Sequence, residues 1–223
     1  MPPYTLIRSK RKTISISIRD GLVTVRAPLF CAQSEIERFI LLKREWVEQK
    51  LSISRQQMSE KQAFALNYGD TLLFRGNLYT IASREGARAG FNGECFHLPP
   101  DLCAEQIKNA CIKVYHKLAK AHLSERVSFF GEQMNLFPSS VKVNNAKARW
   151  GSCSSQGSIN FSWRIIMASD DVIDYVVVHE LAHLRHMNHS SEFWETVERF
   201  LPDYRKRNRE LKGLQRRLAK EDW

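Results

Sequence analysis

Polar and isoleucine positions alternate from Thr13 to Ile18, Asp20-Gly21 supplies a turn, and Leu22 to Val25 resumes the two-residue period, so the pattern predicts a short hairpin closed by Pro28. Ser34 offers a cap for a following helix, whose apolar positions Ile36, Phe39, Ile40, Leu42, Trp46, Val47 and Leu51 keep helical spacing. Extended segments at Thr71 to Phe74 and Leu78 to Ile81 are set off by the turns Tyr68-Gly69-Asp70 and Arg75-Gly76-Asn77. Ser83 to Pro100 reads as loops with one more strand, and a domain boundary is placed there.

From Asp101 to about Phe130 the spacing of Ile107, Cys111, Val114, Leu118 and Val127 predicts a long helix. Three strands follow at Ser140 to Val143, Ala148 to Cys153 and Ser158 to Trp163, and their order suggests a small antiparallel sheet. Ser169 offers an N-cap, Asp170 and Asp171 suit the positive end of a helix dipole, and a nearly all-apolar segment runs from Val172 to Leu184. Val176-Val177-Val178 alone would favour a strand. Helices at Ser191 to Phe200 and from Asp203 to about Lys220 are divided by Pro202. The class is therefore α+β: a small N-terminal β/α domain over residues 1–100, then a domain over 101–223 in which an antiparallel sheet packs on helices.

Composition narrows the setting. The 223 residues carry a formal charge of +10, concentrated in Arg8-Ser9-Lys10-Arg11-Lys12 and along Arg205 to Lys220, which we read chiefly as solvated faces and which leaves nucleic acid possible as a partner. The N-terminus lacks the apolar stretch of a secretory signal, and no run of about eighteen apolar residues exists, so no membrane association is expected. Five cysteines without a C-x-x-C pair fit a reducing compartment, and we read a cytoplasmic protein.

His179-Glu180-Leu181-Ala182-His183 fits H-E-x-x-H. Positions four apart on a helix rise by about 6 Å on one face, close enough for two imidazoles to share one zinc ion. Glu180 lies about 100° around from His179, where a carboxylate can flank the metal as a base without binding it. A catalytic zinc needs a third protein ligand and an open position for water. His186 would lie about 10.5 Å along the axis from His179, too far to share the ion, whereas His189 becomes available if the helix ends near Met187-Asn188, asparagine being tolerant of the left-handed conformation that ends helices. The metal set is thus His179, His183 and His189, with one Zn2+ per chain. Their spacing is that of metzincins, but His186 stands where those carry glycine and no methionine follows His189, so a true metzincin is rejected. The chemistry expected is peptide hydrolysis by water activated on zinc, with Glu180 as catalytic base. Tyr204, Arg149 or His186 could donate to the developing oxyanion, Tyr204 ranking first. Arg149-Trp150-Gly151-Ser152 in the strand just upstream reads either as a substrate-binding edge, Gly151 allowing close approach, or as core and bulge, with Cys153 packed rather than reactive.

Taken together, Arg149-Trp150-Gly151-Ser152-Cys153, Ile159-Asn160, Trp163-Arg164, the Val176 to His183 segment, Asn188-His189-Ser190 and Phe193-Trp194 resemble the YgjP-like metallopeptidases, relatives of the SprT and WLM zincins. The similarity extends upstream through Arg8 to Lys12, Val25 to Pro28 and Lys43 to Trp46. It implies a minimal zincin-like core, zinc on the three histidines and a peptidase acting on protein or peptide. Two other functions compete: a nucleic-acid-associated SprT-like protease, and a non-catalytic module in which zinc only staples the fold.

Overall fold

A computed structural model describes residues 2–223, and the chain forms two compact units. The first ends at Phe64 and also takes Arg217–Asp222; the second runs from Ala65 to Arg216 and includes Trp223.

In the first unit β1 (Tyr4–Ser9), β2 (Ser15–Arg19) and β3 (Leu22–Pro28) form a sheet in the order β1-β3-β2. The expected hairpin is the β2/β3 pair. Asp20 and Gly21 both take positive φ, 49° and 70°, as a two-residue turn matched to the strand twist requires. Sequence reading assigned no strand to β1, which pairs parallel to β3. The guanidinium of Arg8 donates to the carbonyls of Pro28, Leu29 and Cys31, pinning the turn after β3. The helical pattern is two helices, α1 (Gln33–Leu42) and α2 (Arg44–Ala63), broken at Lys43; Ala32 rather than Ser34 is the N-cap. Ile36 and Ile40 of α1 pack on Val25 and Ala27, and Val47 and Leu51 of α2 on Val23. Alternate β3 residues thus meet two helices on one face of the sheet.

The second unit opens with β4 (Thr71–Phe74), β5 (Asn77–Ser83), β6 (Gly90–Phe91) and β7 (Phe96–Leu98), in the order β4-β5-β7-β6. This sheet leans on α3 (Ala104–Met134): the Phe96 ring meets that of Tyr115 at 5.2 Å, and Tyr115 donates its hydroxyl hydrogen to the Leu73 carbonyl. The compact units divide after residue 64, and the strands between 71 and 98, with Leu72, Phe74, Ile81, Phe96 and Leu98 buried, fall in the second.

Three strands follow, β8 (Ser140–Asn144), β9 (Gly151–Cys153) and β10 (Ser158–Ser162), ordered β8-β10-β9. The α+β class holds, with one pairing changed. β9 and β10 are antiparallel, but β8 runs parallel to β10, so the sheet is mixed. The cause is the connection between β8 and β9, which carries the chain past β10. Ser162 Oγ donates to the Ala146 carbonyl, and Asn145 Oδ1 accepts from Trp163 Nε1 and Arg164 Nη1. A short 3-10 helix, Trp163–Met167, then leads to α4 (Asp170–Ala182), α5 (Ser191–Phe200) and α6 (Tyr204–Leu218). Trp163 stacks on Tyr115 at 5.5 Å, joining this turn to α3.

Helix α4 overrides the strand preference of its three valines. Val172, Ile173 and every residue from Tyr175 to Ala182 except His179 are buried, and Val177, Val178, Leu181 and Ala182 have no exposed surface. A helix apolar on nearly all sides belongs inside a core. Arg126 of α3 forms a two-point ion pair with Asp174, at 2.6 and 2.9 Å, fixing the helix along α3. Among the described residues no helix is long and apolar enough to cross a membrane.

Candidate metal centre

His179 and His183 project from the last turn of α4 and its cap. The helix ends at Ala182, earlier than the Met187-Asn188 expectation, and the chain tightens into consecutive turns: Leu184 N–H donates to the Leu181 carbonyl, and both Arg185 and His186 N–H to that of Ala182. Asn188 does not have positive φ; the short turns reverse the chain without a left-handed residue. His189 returns toward the helix, and one nitrogen from each of His179, His183 and His189 lies within 4.8 Å of the others.

The donor set fits a tetrahedral ion. Two nitrogens bonded to one zinc at about 2.0–2.1 Å would stand about 3.3 Å apart, and His179 Nε2 and His189 Nε2 are separated by 3.1 Å. His183 Nδ1 lies 3.0 Å from the His186 carbonyl, which can only accept, so its proton sits on Nδ1 and Nε2 is left free as a ligand. His186 thus serves through its main chain. Burial, with His183 and His189 adding, pushes the pKa of His179 down to about 3, and burial also lowers that of His183; both rings are neutral at pH 7, the form that binds metal. Phe193, fully buried on α5, backs all three rings at centroid distances of 4.9, 4.6 and 4.8 Å.

Glu180 is 5% exposed, and its Oε2 is buried without a hydrogen-bond partner among the described residues. Burial raises its pKa to about 7, opposed by Arg149. Among the described residues it belongs to no group of converging ligand atoms. Gly151 of β9 lies directly against it: a Cβ there would fall 2.6 Å from both Cγ and Cδ of Glu180. Only glycine lets this strand approach so closely.

A cleft of about 350 Å³ joins these groups, lined by Arg149, Gly151, Ser152, Cys153, His179, Glu180, His183, Met187 and His189. The structure therefore brings Arg149, Gly151 and Ser152 to the cleft beside the three histidines, but not Trp150 or Tyr204. Arg149 and Trp150 precede β9, which starts at Gly151; Trp150 is half-buried, and its carbonyl accepts from Ser162 N–H. Tyr204 is buried behind Trp194, and its hydroxyl accepts from Arg205 Nε at 3.1 Å. Burial raises the pKa of the Cys153 thiol, in keeping with an inert side chain. Met187 was missed because nothing in its spacing marks it. Phe193 and Trp194 were seen only as part of a motif, although Phe193 falls on the apolar face of α5 with Val197.

Three converging histidines beside a buried carboxyl group, in a cleft bordered by a strand, define the class: a metal-dependent hydrolase centre of the metallopeptidase kind. The sequence matches the family described as YgjP-like, metallopeptidase domain, over residues 12–214, and the chain belongs to that family. It is accordingly a peptidase acting on protein or peptide. Among solved structures, the chain is similar to the metallopeptidase zymogen of Pyrococcus abyssi abylysin, at 23% identity and a TM-score of 0.39, covering 42% of this chain and 95% of that one. It is also similar to the zymogen of Methanocaldococcus jannaschii jannalysin, at 18% identity and a TM-score of 0.37, with the same coverages. No curated protein matches the sequence significantly.

Proposed function

We propose that this metallopeptidase holds zinc through His179, His183 and His189 and cleaves peptide bonds with Glu180 as general base. The observation that carries the reading is the convergence of three imidazole nitrogens within 4.8 Å of one another, with a buried carboxylate on the next residue of the same helix. Among the described residues no fourth His, Cys, Asp or Glu joins the cluster, which favours an open coordination position over a structural staple. When bound, zinc supplies a Lewis acid that polarises the scissile carbonyl and makes water more acidic. Glu180 takes a proton from the attacking water and returns it to the leaving amine; its raised pKa, about 7, suits a group that must both accept and give.

The substrate is held as an extended strand. β9 is the edge of its sheet, and Gly151 to Cys153 line the cleft, so a peptide can pair with this edge through main-chain hydrogen bonds while Gly151 keeps the carboxylate within reach. The oxyanion donor is Arg149, which lines the cleft where Tyr204 does not. Five free cysteines support a cytoplasmic setting.

The purified protein should contain about one zinc per chain, and Glu180→Gln should keep the metal while losing about 10²–10⁴ in hydrolysis of an unfolded protein substrate. Undiminished hydrolysis by Glu180→Gln would reject Glu180 as the base.

A further inference from the structure

The three histidines are held by different means. His179 is fixed by α4, and His183 by the cap of that helix and the hydrogen bond to the His186 carbonyl. His189 is exposed, lies on neither helix nor strand, and among the described residues its only hydrogen-bond contact is with His179 Nε2. A ligand usually has its ring oriented by a carbonyl or carboxylate on its second nitrogen. His189 has a stack of rings instead. Its imidazole lies against the Trp194 indole at 5.7 Å and 24°, Trp194 lies on Tyr204 at 5.2 Å and 20°, and Tyr204 on Tyr175 at 6.5 Å and 23°. Tyr175 is on α4, one turn before His179, whose ring it meets edge-on at 5.9 Å. The stack thus starts and ends on the metal centre, passing through α6 and α5.

Resting on the three-histidine reading above, we infer that Trp194, backed by Tyr204 and Tyr175, is the positioning residue for His189, setting its ring plane toward the metal by aromatic stacking where another ligand would use a hydrogen bond. Separations of 4.5–7 Å with nearly parallel planes are those at which rings attract beyond simple burial. The arrangement also explains Tyr204: its place in the chemistry is indirect, as the middle ring of the support. Trp194 touches no reacting atom.

The test is zinc affinity, measured by competition with a chromophoric chelator on the full chain, with the visible spectrum of the Co2+ form as a record of the ligand set. Trp194→Leu should weaken zinc by about 10–100-fold, the usual loss when the support of a ligand is removed, and should shift the Co2+ spectrum toward that of His189→Ala; Trp194→Phe, which keeps a flat ring, should recover most of the loss. Trp194 also meets the His179 ring edge-on at 5.9 Å, but α4 holds that ring, so in a His189→Ala background Trp194→Leu should cost far less than in wild type. Zinc binding by Trp194→Leu as tight as wild type, or an equal loss in both backgrounds, would overturn the inference. Should Trp194→Leu not fold, Trp194→Met, which fills the half-buried site without a ring, carries the same expectations. Wild-type affinity in His189→Ala alone would instead defeat the three-histidine reading, so the two failures are distinguishable.

Discussion

Helix α4 and the eight residues after it contribute to the same centre by opposite means. The helix delivers His179 and Glu180 from a segment sealed in the core: Ile173, Val177, Val178, Leu181 and Ala182 have no exposed surface, and Asp174 is clamped by Arg126. The segment from His183 to Ser190 has no fully buried residue, and the last of the three converging histidines on it, His189, is exposed. Position is set in the first case by packing density and in the second by short turns and ring contacts. On the proposed zinc reading, a two-part ligand set of this kind couples metal affinity to the fold's stability at one end and leaves it adjustable at the other.

The comparison is broken most severely from within the helix. Ile173→Ala removes a fully buried side chain from the face toward the core and should cost about 2–5 kcal/mol, read as a lower urea midpoint for the metal-free protein. Loss below 1 kcal/mol would mean that α4 is less tightly held than its burial implies. Next comes Gly151→Ala, which is directed at Glu180 rather than at stability. The new methyl cannot share space with the Glu180 side chain and must displace it. A carboxylate moved by about 1 Å should lower kcat by about 100-fold, with zinc content unchanged. Wild-type turnover in this variant would mean that the contact between β9 and Glu180 is not what positions the proposed base.

What the sequence made legible follows the same division. Period and turn chemistry located the β2/β3 hairpin through Asp20-Gly21 and the β4/β5 pair through Arg75-Gly76, because residues that accept positive φ leave a local mark. The convergence of His179, His183 and His189 was readable because such spacing is a property of chain geometry. The parallel β8/β10 pairing was not, since it depends on where a loop of ordinary residues crosses, and neither was β1, whose partner lies some twenty residues away. The sequence left Tyr204 open between oxyanion donor and packing residue, and Trp150 between substrate-binding edge and core; which way a ring points from α6 or ahead of β9 is decided by neighbours such as Trp194 and Ser162.

Smaller effects are expected where charge, not packing, holds the helix. Arg75 pairs with Asp170 at the start of α4 through two hydrogen bonds of 2.6 and 2.7 Å, and this contact holds the Asp170 carboxyl below its ordinary pKa. A carboxylate depressed in the folded state adds stability above its unfolded pKa of about 3.9, and that contribution disappears as pH falls through the folded value. Both side chains are nearly half exposed, at 41% and 49%, so solvent screens the pair and Asp170→Asn should cost only about 0–1 kcal/mol at pH 7. The difference between wild type and variant should shrink to zero as pH is lowered below about 3.9, and a difference that grows on acidification would reverse the assigned sign.

The smallest effect belongs to Asn188, and it sharpens the contrast with α4. A left-handed asparagine at the helix end would make Asn188→Ala costly, because alanine resists that conformation. The structure ends α4 at Ala182 and reverses through the Leu181 and Ala182 carbonyls, with Asn188 exposed and not at positive φ. Asn188→Ala should therefore change stability by no more than about 0.5 kcal/mol, as surface substitutions do, and leave zinc affinity unaltered. A loss above about 1 kcal/mol, recovered by Asn188→Gly, would show that the turn in solution uses the left-handed residue after all. His189 would then owe its approach to the backbone at position 188 as well as to the rings that face it.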